Sequence, residues 1–310
     1  MTASRRRTTA APVLLTSAQR TSTAGLLNGA AARRGLETVT LTGPDTLRAL
    51  AGRAVHWYGG PRTADRIAGP LRLGLLDPPD DWLARLPRHL TLRSVELMTH
   101  GEASRRTGPF FVKPPSDKSF APSVVACGAQ LPPAAPQTPV LVSEVVSFVA
   151  EYRLFLLDGA LVTATRYAVH GRLDPAPLDD DPYAPDVRAF AARLSALAPL
   201  PSAAAVDVGR LDGGGWAVVE ANMPYFAHCY AADPAAVLEV VLRAAGPYAR
   251  VQDSDRRFLR ARGVPGCAGE PGGSEGPGDS EDSGVSEDSG VSEDSGVSEA
   301  SADSGPPLRP

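Results

Sequence analysis

The chain has 310 residues and a formal net charge of −4. This length is enough for about two structural units with a sizeable core. Eleven acidic side chains lie in residues 263–310, where Arg309 is the only base, so the rest of the chain is net positive. This charge is diffuse and accompanies no nucleic-acid-binding motif, which argues against DNA or RNA partners and mildly favours small anionic ligands.

The sequence favours a cytoplasmic protein. No apolar run approaches the roughly 18 residues that span a bilayer, so no membrane partner is expected. The three cysteines show no C-x-x-C spacing, which argues against a disulfide framework and fits a reducing compartment. Residues 1–11 contain paired arginines, but the apolar run that follows is too short for an export signal, so we interpret them as a loose basic leader.

The first third of the chain alternates predicted strands and helices. Strands are predicted at Val13–Thr16, residues 37–41 and residues 54–58. Residues 22–34 form a predicted helix ended by Gly35. This order predicts a small open α/β unit with a mostly parallel sheet, and it lacks the G-x-G-x-x-G fingerprint of dinucleotide-binding proteins. Residues 80–86 predict a short helix, and residues 90–95 a crossing strand.

Two lysines stand out in a chain that otherwise uses arginine. Lys113 and Lys118 are its only lysines; the first ends a predicted strand over residues 110–113 and the second lies in the loop after it. A compact ammonium group suits phosphate oxygens. The alternative is that the two fall together by chance.

A run of strands follows, over residues 140–148, 151–157 and 160–169, with an Asp-Gly hairpin turn. Glu151 and Arg153 share a face because side chains alternate along a strand. An arginine directed into a cleft stabilises a phosphoryl group in transfer, whereas the alternative for these charges is cross-strand salt bridges. Residues 186–197 and 233–245 are predicted helices.

The stretch over residues 203–222 predicts a β-hairpin whose ends carry polar side chains. Glu220 and Asn222 share one face, and Asp207 joins them if the connecting loop has an even number of residues. Carboxylates are seldom buried without a partner, and oxygen ligands grouped in this way suit Mg²⁺ held between protein and phosphate. The alternative is a hairpin with polar strand ends.

The end of the chain is compositionally different. Residues 251–310 are predicted to be a linker followed by a disordered acidic tail that repeats S-E-D-S-G-V. This segment has too few apolar side chains to offset the entropy of ordering.

Taken together, these residues resemble the ATP-grasp superfamily. A strand ending in Lys113 precedes a strand with S-E-V-V, Glu151 follows seven residues after its glutamate, and Asp207 and then E-A-N complete the order. The paired lysines with Arg153 resemble the subgroup known for one arginine and two lysines. The resemblance implies an ATP-grasp fold of α/β and α+β class, with an N-terminal Rossmann-like pre-ATP-grasp unit over residues 12–93 and the ATP-grasp domain over residues 94–250.

The resemblance also implies roles for individual residues. Asp207, Glu220 and Asn222 would hold Mg²⁺, and Lys113 would contact the phosphates of ATP. Nucleotide contacts are further implied for Glu144, Val145 and Val146 as the adenine-binding linker, and for Glu151 at the ribose. Catalytic roles are implied for Lys118, Arg153 and Arg166. The family's phosphate-covering loop is usually glycine-rich, whereas residues 114–122 contain no glycine.

The activity implied is that of an ATP- and Mg²⁺-dependent ligase. Such an enzyme activates a carboxylate as an acyl phosphate, which an amine, a thiol or a similar nucleophile then attacks with release of ADP and phosphate. The expected partners are small-molecule or peptide carboxylate and amine substrates. Two alternatives are a catalytically silent nucleotide-binding or interaction protein and an ATP-dependent phosphotransferase.

Overall fold

The computed structural model describes residues 11–19, 21–115 and 120–260. Lys118 and the predicted acidic tail lie outside these described residues. In the ranges that are described, no helix combines the length and the apolar character needed to cross a membrane.

The N-terminal part is a small α/β unit. Its elements are β1 (Val13–Thr16), α1 (Ser22–Arg33), β2 (Glu37–Thr40), α2 (Pro44–Leu50), β3 (Val55–Tyr58), α3 (Pro61–Leu71) and β4 (Leu73–Leu75). The first three strands form a parallel sheet in the order β2-β1-β3, as the alternating pattern predicts. Every residue of the central strand β1 is buried, and Gly35 has a φ of 77° directly after α1, where a left-handed residue ends a helix.

The second part is an antiparallel four-stranded sheet in the order β5-β8-β6-β7. Its elements are α4 (Arg88–Thr91), β5 (Val95–Thr99), α5 (His100–Ala103), β6 (Phe110–Lys113), β7 (Ser123–Val125) and β8 (Pro139–Ser143). The strand predicted at residues 90–95 is wrong. Leu90 is buried in the helical turn α4, Leu92 ends that turn with a φ of 49°, and the strand starts only at Val95. A short apolar run does not distinguish a strand from a buried helical turn. The helix predicted at residues 80–86 is a single 3₁₀ turn, Leu83–Arg85.

The third part is an antiparallel five-stranded sheet in the order β11-β10-β9-β12-β13. Its elements and the two that follow are β9 (Phe148–Leu157), β10 (Ala160–Val169), β11 (Arg172–Pro177), α6 (Ala184–Leu197), β12 (Ala203–Leu211), β13 (Trp216–Asn222), α7 (Pro234–Ala244) and β14 (Ala245–Pro247). The last strand pairs with β4, so the end of the third part is hydrogen-bonded to the N-terminal unit.

The two faces of this sheet bury different cores. Tyr152 and Leu154 pack in one core with residues of α6, whereas Phe155 and Ala205 pack in another with the N-terminal unit and α7. Side chains alternate along a strand, so the odd-numbered positions of β9 and β12 face the N-terminal unit. The candidate site residues of these two strands are odd-numbered and therefore lie on this second face.

Candidate active site

The centre of the candidate site is a buried ion pair between neighbouring strands. Arg153 on β9 lies opposite Asp207 on β12. Its Nε and Nη2 each donate to one carboxylate oxygen of Asp207 at 2.8 Å, and the two residues are 8% and 1% exposed. Burial by itself lowers the pKa of Arg153, but the charge and hydrogen bonds of Asp207 reverse this and hold it above its ordinary value. The arginine is therefore a fixed cation.

A β-bulge brings Glu220 to the same place. Arg210 pairs with Trp216 and Val208 with Val218, yet Asp207 pairs with Glu220. The register shift leaves Val219 as an extra residue on β13. The connection between Arg210 and Trp216 spans residues 211–215, an odd number, and without the bulge it would have placed Asp207 opposite Val219. The predicted pairing is thus present, but a bulge produces it rather than an even loop.

Lys113 joins this group from the other antiparallel sheet. It ends β6, is 7% exposed, and its Nζ donates to Oε2 of Glu220 on β13. Burial by itself raises the pKa of Glu220, but the charge and hydrogen bond of Lys113 lower it to about 2. The pair spans the space between the two sheets, and it places one cation and one anion from different sheets in contact.

The amide of Asn222 completes the cluster. Its Nδ2 donates to Oδ2 of Asp207 at 3.1 Å and to Oε1 of Glu220 at 3.0 Å, so one oxygen from each carboxylate converges on a single point. Rotation of the amide exchanges its nitrogen for its oxygen and would give three converging oxygens, a donor set that fits Mg²⁺. Among the described residues, no group of three or more His, Cys, Asp or Glu side chains could hold a metal ion; here the third ligand is an amide, and cations already pair with both carboxylates.

Two tyrosines that the sequence did not single out line the same face. The hydroxyl of Tyr167 donates to Oε2 of Glu151 at 2.8 Å. The rings of Tyr167 and Tyr230 stack at 5.5 Å, and the guanidinium of Arg153 lies 5.6 Å and 5.2 Å from their centroids. Burial raises the pKa of Glu151 and of Tyr167. An aromatic residue next to a strand bulge carries no sequence signal that separates it from a core residue.

The N-terminal unit reaches the site through α1. The hydroxyl of Thr23 lies 3.4 Å from Nδ1 of His228 and accepts from the backbone N–H of Cys229 at 3.2 Å. The carbonyl of His228 in turn accepts from Nη1 of Arg153 at 3.3 Å. Cys229 is fully buried, and burial raises the pKa of its thiol, the opposite of what an activated nucleophile requires.

Comparison with known proteins identifies the central part of the chain. Residues 90–240 match a family described as an ATP-grasp domain, the second family of the clade named for one arginine and two lysines. The chain carries an ATP-grasp domain. The matched residues contain both antiparallel sheets and every site residue that the structure describes.

Solved structures with a similar arrangement are ATP-grasp proteins. The D-cycloserine synthetase DcsG is 17% identical with a TM-score of 0.46, over 74% of this chain and 98% of that one. The D-alanine–D-alanine ligase from Bacillus anthracis is 12% identical with a TM-score of 0.44, over 76% and 96% of the two chains. A RimK domain ATP-grasp protein from Sphaerobacter thermophilus is 17% identical with a TM-score of 0.42, over 75% and 100%. No curated protein sequence matches the chain.

The predicted adenine linker connects the two sheets of the ATP-grasp domain. Glu144, Val145 and Val146 lie between β8 and β9. The carboxylate of Glu144 accepts from the backbone N–H of Ser94 at 2.7 Å and from Nη2 of Arg88 at 3.2 Å. The hydrogen bond from Ser94 lowers its pKa. The linker is therefore tied by its first residue to the chain that enters β5.

The structure does not bring Arg166 to the site. Arg166 lies opposite Tyr152 on the neighbouring strand and so shares the face that packs on α6. Its Nη1 donates to Asp181 at 2.7 Å and its Nη2 to Asp174 at 3.0 Å. The sequence-based placement of Arg166 beside Arg153 is therefore corrected, because one position along a strand changes the face.

Proposed function

We propose that this chain is an ATP- and Mg²⁺-dependent ligase. In this proposal it activates a carboxylate as an acyl phosphate and transfers the acyl group to an amine, a thiol or a similar nucleophile, with release of ADP and phosphate. The observation that carries the proposal is the convergence of Asp207, Glu220 and Asn222 with the cations Lys113 and Arg153 where two sheets meet.

Each side chain has a role in this proposal. Asp207, Glu220 and Asn222 hold Mg²⁺, which supplies neutralisation of phosphate charge when bound. Lys113 leaves Glu220 and contacts phosphate oxygens, and Arg153 keeps Asp207 ionised and oriented.

The nucleotide contacts lie on the linker and on β9. Glu144, Val145 and Val146 bind adenine, and Glu151 binds the ribose. Lys118, outside the described residues, supplies charge at the γ-phosphate.

The reaction has two balanced steps. A carboxylate oxygen of the substrate attacks the γ-phosphorus, the bond from that phosphorus to the bridging oxygen breaks, and ADP leaves with the electron pair. The nucleophile then attacks the acyl carbon, phosphate leaves with the electron pair of the carbon–oxygen bond, and the nucleophile loses its proton. The positive charges of the site allow the first step because they reduce repulsion between two anions.

The remaining parts of the chain fit this proposal as follows. Residues 12–93 form a Rossmann-like pre-ATP-grasp unit, and the ATP-grasp domain extends over residues 94–250. The linker and acidic tail, residues 251–310, lie outside the catalytic unit, and the protein acts in the cytoplasm.

The proposal is tested by trapping the acyl phosphate. The full chain is incubated with ATP, Mg²⁺ and pools of amino acids, peptides or small carboxylates, and ADP release is measured with and without hydroxylamine. A ligase converts the activated acid to a hydroxamate and releases free phosphate, and Glu220→Gln abolishes most of both signals. Asp179→Asn is the matched control, because Asp179 pairs with Arg188 at an exposed position.

Other outcomes would count against ligation. Phosphate that stays on a stable product indicates a phosphotransferase. Nucleotide binding without turnover in any pool indicates a silent binding protein.

A further inference from the structure

A buried arginine that has no assigned role lies behind the metal-binding strand. Arg93 precedes β5 and is 5% exposed. Its Nη1 donates to the carbonyl of Val218 at 2.8 Å and to that of Thr91 at 3.1 Å, and its Nη2 donates to the carbonyl of Val219 at 3.2 Å. Among the described residues, no carboxylate pairs with Arg93, and burial lowers its pKa to about 10. An arginine buried among carbonyls alone is unusual, since desolvation of its charge is expensive.

The carbonyls that Arg93 binds belong to the bulge. Neighbouring carbonyls of a regular strand point to opposite edges, so one guanidinium reaches those of both Val218 and Val219 only where the alternation is interrupted. The register shift between Asp207 and Val208 lies at these residues. Moreover, β13 is the outer strand of its sheet, so its outward carbonyls need partners from outside that sheet. The planar fork of Arg93 supplies them.

The bulge in turn decides which side chain faces Asp207. With the bulge, Glu220 is opposite Asp207, and Asn222 can donate to both carboxylates. Without it, the pairing of Val208 with Val218 would continue and Val219 would take the place of Glu220. A one-residue slip would therefore turn Glu220 to the other face of the sheet.

We propose that Arg93 is a positioning residue that fixes the bulge in β13 and thereby holds Glu220 beside Asp207. This inference rests on the proposed function for the meaning of that placement, but the placement itself concerns the register of two strands. Arg93 contacts no nucleotide or metal in this proposal and acts through the backbone of Val218 and Val219.

The test separates register from simple stability. ADP affinity is measured by calorimetry for the full chain with EDTA and with saturating Mg²⁺, and amide hydrogen exchange is followed by mass spectrometry. In Arg93→Met, the enhancement of ADP affinity by Mg²⁺ falls by about tenfold or more, as for other groups that orient metal ligands from behind, while ADP affinity in EDTA stays unchanged. Exchange accelerates in residues 216–222 and stays unchanged in residues 160–169.

Two further variants complete the test. Arg93→Lys keeps the charge but cannot bridge two carbonyls with a planar fork, so it loses the Mg²⁺ enhancement while staying folded, and it decides the matter if Arg93→Met does not fold. Arg85→Met is the matched control, because Arg85 lies on the preceding 3₁₀ turn with its side chain 73% exposed.

Two results would overturn the proposal. One is a lower melting temperature with a wild-type Mg²⁺ enhancement and wild-type exchange in residues 216–222. The other is faster exchange spread evenly over the five-stranded sheet. If the wild-type protein shows no Mg²⁺ enhancement at all, the proposed function fails, and the exchange pattern alone still decides whether Arg93 fixes the register.

Discussion

The Arg153–Asp207 pair offers a quantitative test of how the site is built. Both groups are nearly inaccessible, at 8% and 1% exposure, and they share two hydrogen bonds of 2.8 Å. Arg153→Met leaves an uncompensated buried carboxylate. Breaking a buried pair by removing one partner costs about 3–5 kcal/mol, which corresponds to roughly 6–20 °C in melting temperature for a unit of this size.

The loss in Arg153→Met should also depend on pH. Burial raises the pKa of Asp207 and the charge of Arg153 opposes that rise, so in the variant burial acts alone. A carboxyl group whose pKa is higher in the folded state than in the unfolded state favours folding when protonated. The penalty relative to wild type should therefore be small near pH 4 and grow as the pH rises through the folded-state pKa.

The assay is urea unfolding followed by tryptophan fluorescence between pH 4 and pH 8. The double variant Arg153→Met/Asp207→Leu should recover most of the loss, because it removes the unpaired charge as well. Arg188→Met is the control: Arg188 pairs with Asp179 at an exposed position, and such pairs contribute about 0–1 kcal/mol. A loss in Arg153→Met as small as in the control, or one that does not change with pH, would refute this reasoning.

Two further predictions concern the edges of the site. Lys113→Met should weaken ATP binding in an equilibrium titration, because Lys113 is already held by the sheet next to Glu220; wild-type affinity would remove it from the nucleotide site. A chain that ends after Arg262 should keep its melting temperature and turnover, whereas one that also lacks Arg260 should lose stability, since Arg260 donates to Asp77 at 2.8 Å and to Asp65 at 2.7 Å. Equal stability of the two truncated chains, measured by thermal unfolding, would contradict the second prediction.

Sequence periodicity by itself determined the local elements and the choice of site residues. Alternation along β9 puts Glu151 and Arg153 on one face, and the turn-forming residues 211–215 indicate the hairpin that carries Asp207 and Glu220. These features depend on residues close together in the chain, where spacing alone fixes which side chains share a face.

Tertiary structure alone decided the register and the partners. The bulge at Val219 depends on Arg93, more than a hundred residues earlier, and no local pattern announces it. Arg166 has the composition and strand setting of a site residue but faces α6, because a bulge between Arg166 and Ala168 shifts the register of β10. Contacts such as Lys113 with Glu220 join different sheets, so they follow from how the sheets pack and not from the spacing of residues along the chain.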